Sequence, residues 1–142
     1  MGGKSRAVPV LRYEIAAAMV ARAVAHAEAH GWAVAVAVVD PGGQVLASGR
    51  MDGAAPPILE FATDKAYTAT LGKTSLAFGE RMAELKSLEM GVATRARLLT
   101  WEGGLPVREG GVLIGAIGVS GASGHEDAAC ARAAIAGEGL DP

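Results

Sequence analysis

Gly110 to Asp127 reads GGVLIGAIGVSGASGHED, and the fold follows from how this stretch is read. From Val112 to Val119 every residue is apolar or glycine, and the run is too short for a helix of its own, so it is a strand. Its two alternating sets are Val112, Ile114, Ala116, Gly118 and Leu113, Gly115, Ile117, Val119. Both are apolar, which places the strand in the middle of a sheet covered on both faces. Glycines within it imply that a helix, a second subunit or a ligand comes close. Ser120 to Gly124 then forms a small-residue loop that opens an Ala-rich helix from about Glu126 to Ala136. Such a loop can present backbone N–H groups to an anion or let a flat ligand approach. It can equally be a tight turn with capping residues.

Working outward, Leu11, Ile15, Met19 and Ala23 recur every four residues among charges at Arg12, Glu14 and Arg22, which predicts an amphipathic helix ending near Gly31. Trp32 to Val39 is a Val-rich buried strand, Asp40-Pro41-Gly42-Gly43 a turn, and Val45 to Arg50 the returning strand of a hairpin. Pro57 suits the first turn of a second helix, Ile58 to about Leu71. Thr74 to Leu85 and Lys86 to Thr94 read as shorter helical or irregular pieces. Arg97 to Trp101 and Leu105 to Arg108 are short strand candidates on either side of Gly103-Gly104. Tight turns join the paired strands, so the expected sheet is mostly antiparallel with helices over its faces, an α/β (more closely α+β) arrangement. The 142 residues are enough for one domain with one core, and no linker or repeat divides them.

Composition narrows the function classes. The formal net charge is −2 and no basic block exists, so no nucleic-acid partner is expected. No run of 18 uncharged apolar residues is present, so no membrane partner is expected either. Cys130 stands alone, which excludes an internal disulfide, and it reads as a small core residue of the last helix. The expectation is a cytoplasmic protein.

Two phosphate-binding patterns fail. Gly72-Lys73-Thr74-Ser75 lacks the earlier glycine of a P-loop, because Tyr67 holds that position. Gly118, Gly121 and Gly124 are spaced every three residues, unlike the dinucleotide fingerprint. His26 and His30 share one helix face four residues apart. Without a third ligand they are read as solvated residues favouring the C-terminal helix dipole, and no metal site is assigned.

The polar residues that look placed are Arg50 and Asp52 at a strand end, and Asp64, Lys65 and Thr68 on the second helix. Arg50 can hold a carboxylate by paired hydrogen bonds, or can close a turn with Asp52. Lys65 lies among Ala62, Ala66 and Ala69. If that face is buried, Lys65 needs an anionic partner or a lowered pKa; otherwise it snorkels to water. Trp101-Glu102-Gly103-Gly104 suits a flat ligand, a subunit contact or a hairpin corner.

RMDGA at 50–54, DKAYTA at 64–69, GGLPV at 103–107 and GVLIGAIGVSG at 111–121 together resemble the GlcG/HbpS-like haem-binding family and the C-terminal domain of PduO-type proteins, over roughly Val10 to Leu140. The resemblance implies a sandwich with a five-stranded antiparallel sheet flanked by helices, assembled as a homo-oligomer. It also implies haem as a cofactor, held in some members by a histidine of the first helix, the element that carries His26 and His30 here. Two functions follow as expectations. One is a haem- or small-cofactor-binding protein, with His26, His30, Gly103, Gly104, Ser120, Gly121 and Gly124 around the cofactor, and His125 and Cys130 as further axial candidates. The other is an isomerase or tautomerase, decarboxylase or hydrolase for a small organic carboxylate. There Arg50, Asp52, Asp64 and Lys65 bind substrate and move protons, and the Ser120–Gly124 amides stabilise developing charge.

Overall fold

The computed structural model describes residues 2–142. Its elements in chain order are α1 (Tyr13–Ala29), β1 (Ala35–Val39), β2 (Val45–Arg50), α2 (Ile58–Ala69), α3 (Ser75–Met82), α4 (Lys86–Val92), β3 (Gly104–Glu109), β4 (Val112–Ser120) and α5 (Gly124–Gly137). The strands form one antiparallel sheet in the order β2-β1-β4-β3. β4 is internal, as its two apolar faces require, and Pro106 sits on the edge strand β3, where a missing N–H is tolerated.

The two faces of this sheet are built from residues of different size. Val36, Val38, Leu105, Val107, Ile117 and Val119 point to one side and join Met19, Ala23, Ala131 and Ile135 of α1 and α5 in the main core. Ala35, Ala37, Val39 and Ala116 point to the other, against Ala62, Ala66 and Ala69 of α2. Alanine and glycine leave so little side chain between sheet and helix that the α2 backbone lies almost on the strands. A Cβ on Gly118 would collide with the Ala62 carbonyl oxygen and lie 2.6 Å from the Ala66 nitrogen. Gly118 thus accommodates a helix of the same chain, while Gly115 makes room for the Val39 carbonyl and Leu11.

The sheet has four strands, not the five expected, and Arg97 to Trp101 is the segment that fails to pair. Its backbone groups find side-chain partners instead: the Leu99 N–H donates to Thr68 Oγ1 at 2.8 Å, and Ser75 Oγ donates to the Trp101 carbonyl at 2.6 Å. A segment tied to α2 and α3 in this way is not free to extend the sheet. Beyond β3 only an isolated bridge forms, between Arg108 and Asp141. No helix among the described residues is long and apolar enough to cross a membrane.

Candidate functional site

Lys65 is the most buried cation, 2% exposed, on the face of α2 that meets the sheet. Its Nζ donates to Asp127 Oδ2 at 3.1 Å and to the Val119 carbonyl at 3.0 Å. Asp127, also 2% exposed, accepts the Ala122 N–H on its other oxygen at 2.9 Å, so the carboxylate is clamped between helix and loop. Burial pulls the Lys65 ammonium below its usual range, opposed by Asp127; burial pushes the Asp127 carboxyl up, opposed by Lys65. Desolvation disfavours charge on both members alike.

This pair forms part of the wall of a cleft of about 310 Å³ lined also by Ile58, Phe61, Trp101, Glu102, Ser120 and Gly121. Phe61 and Trp101 meet edge to face with ring centroids 5.5 Å apart, and Trp101 is exposed at the rim. Gly124 and Ala122 line the same cleft. Gly103, at φ +133°, and Gly104 have no room for a side chain: a Cβ on the first would lie 2.5 Å from the Val119 carbonyl oxygen, and one on the second would strike the Lys65 carbonyl. Their smallness serves the packing that buries Lys65.

The loop amides of Ala122 and Ser123 are committed within the chain. Ser123 caps α5, accepting from the Glu126 N–H while the Glu126 side chain accepts from the Ser123 N–H. With Ala122 bound to Asp127, the helix start holds its own two carboxylates, Glu126 and Asp127, in place of an external anion.

A second cleft, about 400 Å³, adjoins the first through Ile58, Gly121 and Ala122 and extends to Gly31, Trp32, Ala33, Gly53, Ala54 and Ala55. Neither His26 nor His30 lines this cleft; the imidazole pair at the C-terminal end of α1 lies against Trp32 of its wall. His30 stacks on Trp32 at 4.6 Å between centroids and lies against His26 at 4.5 Å. His30 Nδ1 is 2.8 Å from the His26 carbonyl. A carbonyl only accepts, so Nδ1 is the donor, which leaves Nε2 as the ring nitrogen not engaged by this hydrogen bond.

The remaining expected site residues lie apart. Arg50 is exposed and donates to the Ala54 carbonyl at 2.7 Å, shaping the loop of the second cleft, and forms no ion pair with Asp52. Asp64 turns away from Lys65 and faces Arg97 at 3.6 Å, in a separate open groove with Thr63 and Glu60. Burial raises its carboxyl above the usual range against the opposing Arg97 charge. His125 is exposed. Cys130 is fully buried, its thiol pushed up to about 11 by burial. The residue that sequence reasoning did not assign to the site is Asp127. The signal was the buried lysine itself, whose charge demanded a carboxylate elsewhere in the chain.

Fold and clefts together define a small α+β sandwich with one antiparallel sheet between a two-helix layer and a close-packed single helix. The chain belongs to the HbpS-like family, described as haem degrading protein HbpS-like, whose pattern matches residues 11–136. Protein GlcG of Escherichia coli K12 is 39% identical over 111 residues, 78% of this chain and 81% of that protein. The crystal structure of a double mutant of HbpS from Streptomyces reticuli superposes with a TM-score of 0.86 at 35% identity, covering 96% of this chain and 92% of the other. A PduOC:heme complex superposes with a TM-score of 0.83 at 28% identity, covering 93% and 97%.

Proposed function

We propose that this protein binds haem at the Trp32 end of the second cleft, with His30 Nε2 as the axial ligand. The observation that carries the reading is the His30–His26 hydrogen bond, because metal-bound histidines characteristically anchor the other ring nitrogen on a carbonyl or carboxylate. The surrounding residues are mostly small and suit a flat group, with Glu126 the one charged side chain of the wall. Trp32 supplies an aromatic face, and Gly31, Ala33, Gly53, Ala54 and Ala55 leave the wall low. Haem bound there would supply redox and ligand-binding chemistry at its iron. The protein's part would be to orient the imidazole and to cover the macrocycle. The family description and the haem complex of a related fold support this reading. The exposed Leu71, Leu76, Leu85 and Met90 around α3 and α4 support self-association as the accompanying state.

Titrating purified protein with haem tests the proposal. A Soret band that saturates at one haem per chain is expected, with affinity reduced about tenfold or more in His30→Ala, the scale on which metal sites respond even to loss of an outer partner. An unchanged titration in His30→Ala removes His30 from the site. Absence of any saturable band in the parent protein removes haem.

A further inference from the structure

The haem reading leaves the first cleft without a task, and the cleft has features of its own. An ammonium has three N–H donors, and Lys65 has two protein acceptors, Asp127 Oδ2 and the Val119 carbonyl. The third donor has no acceptor among the described residues, and the side chain forms part of the cleft wall. The charge of the cleft decides what kind of molecule suits that position. Asp127 already neutralises Lys65, and Glu102 lines the same space without an ion-pair partner among the described residues. The cleft is therefore net negative, and the start of α5 is occupied by its own capping carboxylates. An organic carboxylate, the substrate class suggested by the sequence pattern, is repelled here. Phe61, Trp101 and Ile58 offer apolar contact to a small uncharged molecule.

We propose that the cleft takes up a small neutral aldehyde or ketone and that Lys65 condenses with its carbonyl carbon to form an imine, with Asp127 as the proton carrier. The chemistry balances within the pair. Lys65 passes a proton to Asp127, and the freed amine attacks the carbonyl carbon. The resulting alkoxide recovers the proton from Asp127 and becomes a hydroxyl. The nitrogen then gives a second proton to Asp127, which delivers it to the departing hydroxyl. The nitrogen lone pair forms the C=N bond as water leaves. The start is ammonium and carboxylate; the end is iminium and carboxylate, plus one water. The buried charge is the same before and after, so the step demands no new charge in a dry site. Burial that favours the free amine assists the attack.

Reductive trapping tests this directly. The protein is incubated at neutral pH with acetaldehyde or, separately, benzaldehyde, together with cyanoborohydride, and each lysine is quantified by peptide mass mapping. Lys65 is expected to be alkylated faster than the exposed Lys4, Lys73 and Lys86, because burial favours its free amine and the cleft holds the carbonyl beside it. Trp101→Ala is expected to diminish the benzaldehyde reaction more than the acetaldehyde reaction. Lys65→Arg, which keeps the charge, is expected to remove the fast label, leave the slow ones and retain the circular dichroism of the parent. Labelling of Lys4, Lys73 and Lys86 while Lys65 stays unmodified overturns the proposal. So does protection of Lys65 by acetate at the same concentration, because an anion would then be the preferred guest. Haem titration of Lys65→Arg is expected to match the parent, which keeps this test separate from that of the haem site.

Discussion

Lys65 and His30 show two ways in which a chain can hold a basic group. Lys65 is buried between α2 and the sheet at the wall of the first cleft, its position set by Asp127, by the Val119 carbonyl and by glycines that let the helix come close. His30 lies exposed at the end of α1, oriented by one backbone hydrogen bond and two neighbouring rings. The first is part of the architecture: removing either charge of the Lys65–Asp127 pair should disturb folding. The second is an appendage: altering it should disturb a ligand and leave folding alone. The contrast teaches that a buried charge imposes a structural demand on its surroundings whatever chemistry it also performs, while an exposed imidazole imposes almost none.

The largest effect is expected at the buried pair. Asp127→Ala leaves the Lys65 charge unpaired and the Ala122 N–H without its acceptor, and should cost about 3–5 kcal/mol in chemical denaturation. The double variant Lys65→Met, Asp127→Leu removes both charges and should recover most of that loss. A double variant as unstable as the single one would show that the pair is not the source of the penalty, and the comparison would lose its first half.

Gly118→Ala comes next. Its Cβ would be driven into the backbone of α2 at Ala62 and Ala66, where no side chain can swing aside. An expected loss of about 1–3 kcal/mol follows from forced repacking, with α2 displaced from β4. If the melting temperature stays at the parent value, the close approach of α2 is not what seals Lys65.

How much of this was legible beforehand depended on the kind of signal. β4 could be placed inside the sheet because both of its alternating sets are apolar, a local property of the strand. Lys65 could be flagged because it stood among alanines, and its need for an anion could be stated. Which anion could not, since Asp127 lies 62 positions away and reaches Lys65 only through the turn after β4. The expected fifth strand failed for a related reason. Arg97 to Trp101 has strand-like composition, but Thr68 and Ser75 claim its backbone from distant helices. Arg50 and Asp52 looked paired by proximity in sequence, yet the Arg50 guanidinium turns to the Ala54 carbonyl.

Cys130 supplies a smaller effect with a definite pH signature. Its thiol is buried, and its pKa is raised from 9.0 to about 11. Between these values the folded chain keeps a proton that the unfolded chain releases, so this group's contribution to stability falls as pH rises through the window. The stability difference between the parent and Cys130→Ala should therefore shift against the parent from pH 9 to pH 11. A difference that is flat with pH would mean that the thiol is not desolvated in solution.

The smallest expected change in stability is at His30, and it sharpens the comparison most. The side chain is exposed, its neighbours His26 and Trp32 still face each other without it, and exposed substitutions of this kind stay within about 0.5 kcal/mol. Removing the ring also removes the hydrogen bond to the His26 carbonyl, but that oxygen is near the helix end, where water can replace the donor. His30→Ala should thus unfold at the parent's denaturant midpoint while losing haem affinity. A loss of several kcal/mol would instead make the His26–His30–Trp32 stack a structural clasp of α1 on the segment that leads into β1. The orientation of His30 Nδ1 would then be a consequence of packing and would say nothing about a ligand on Nε2.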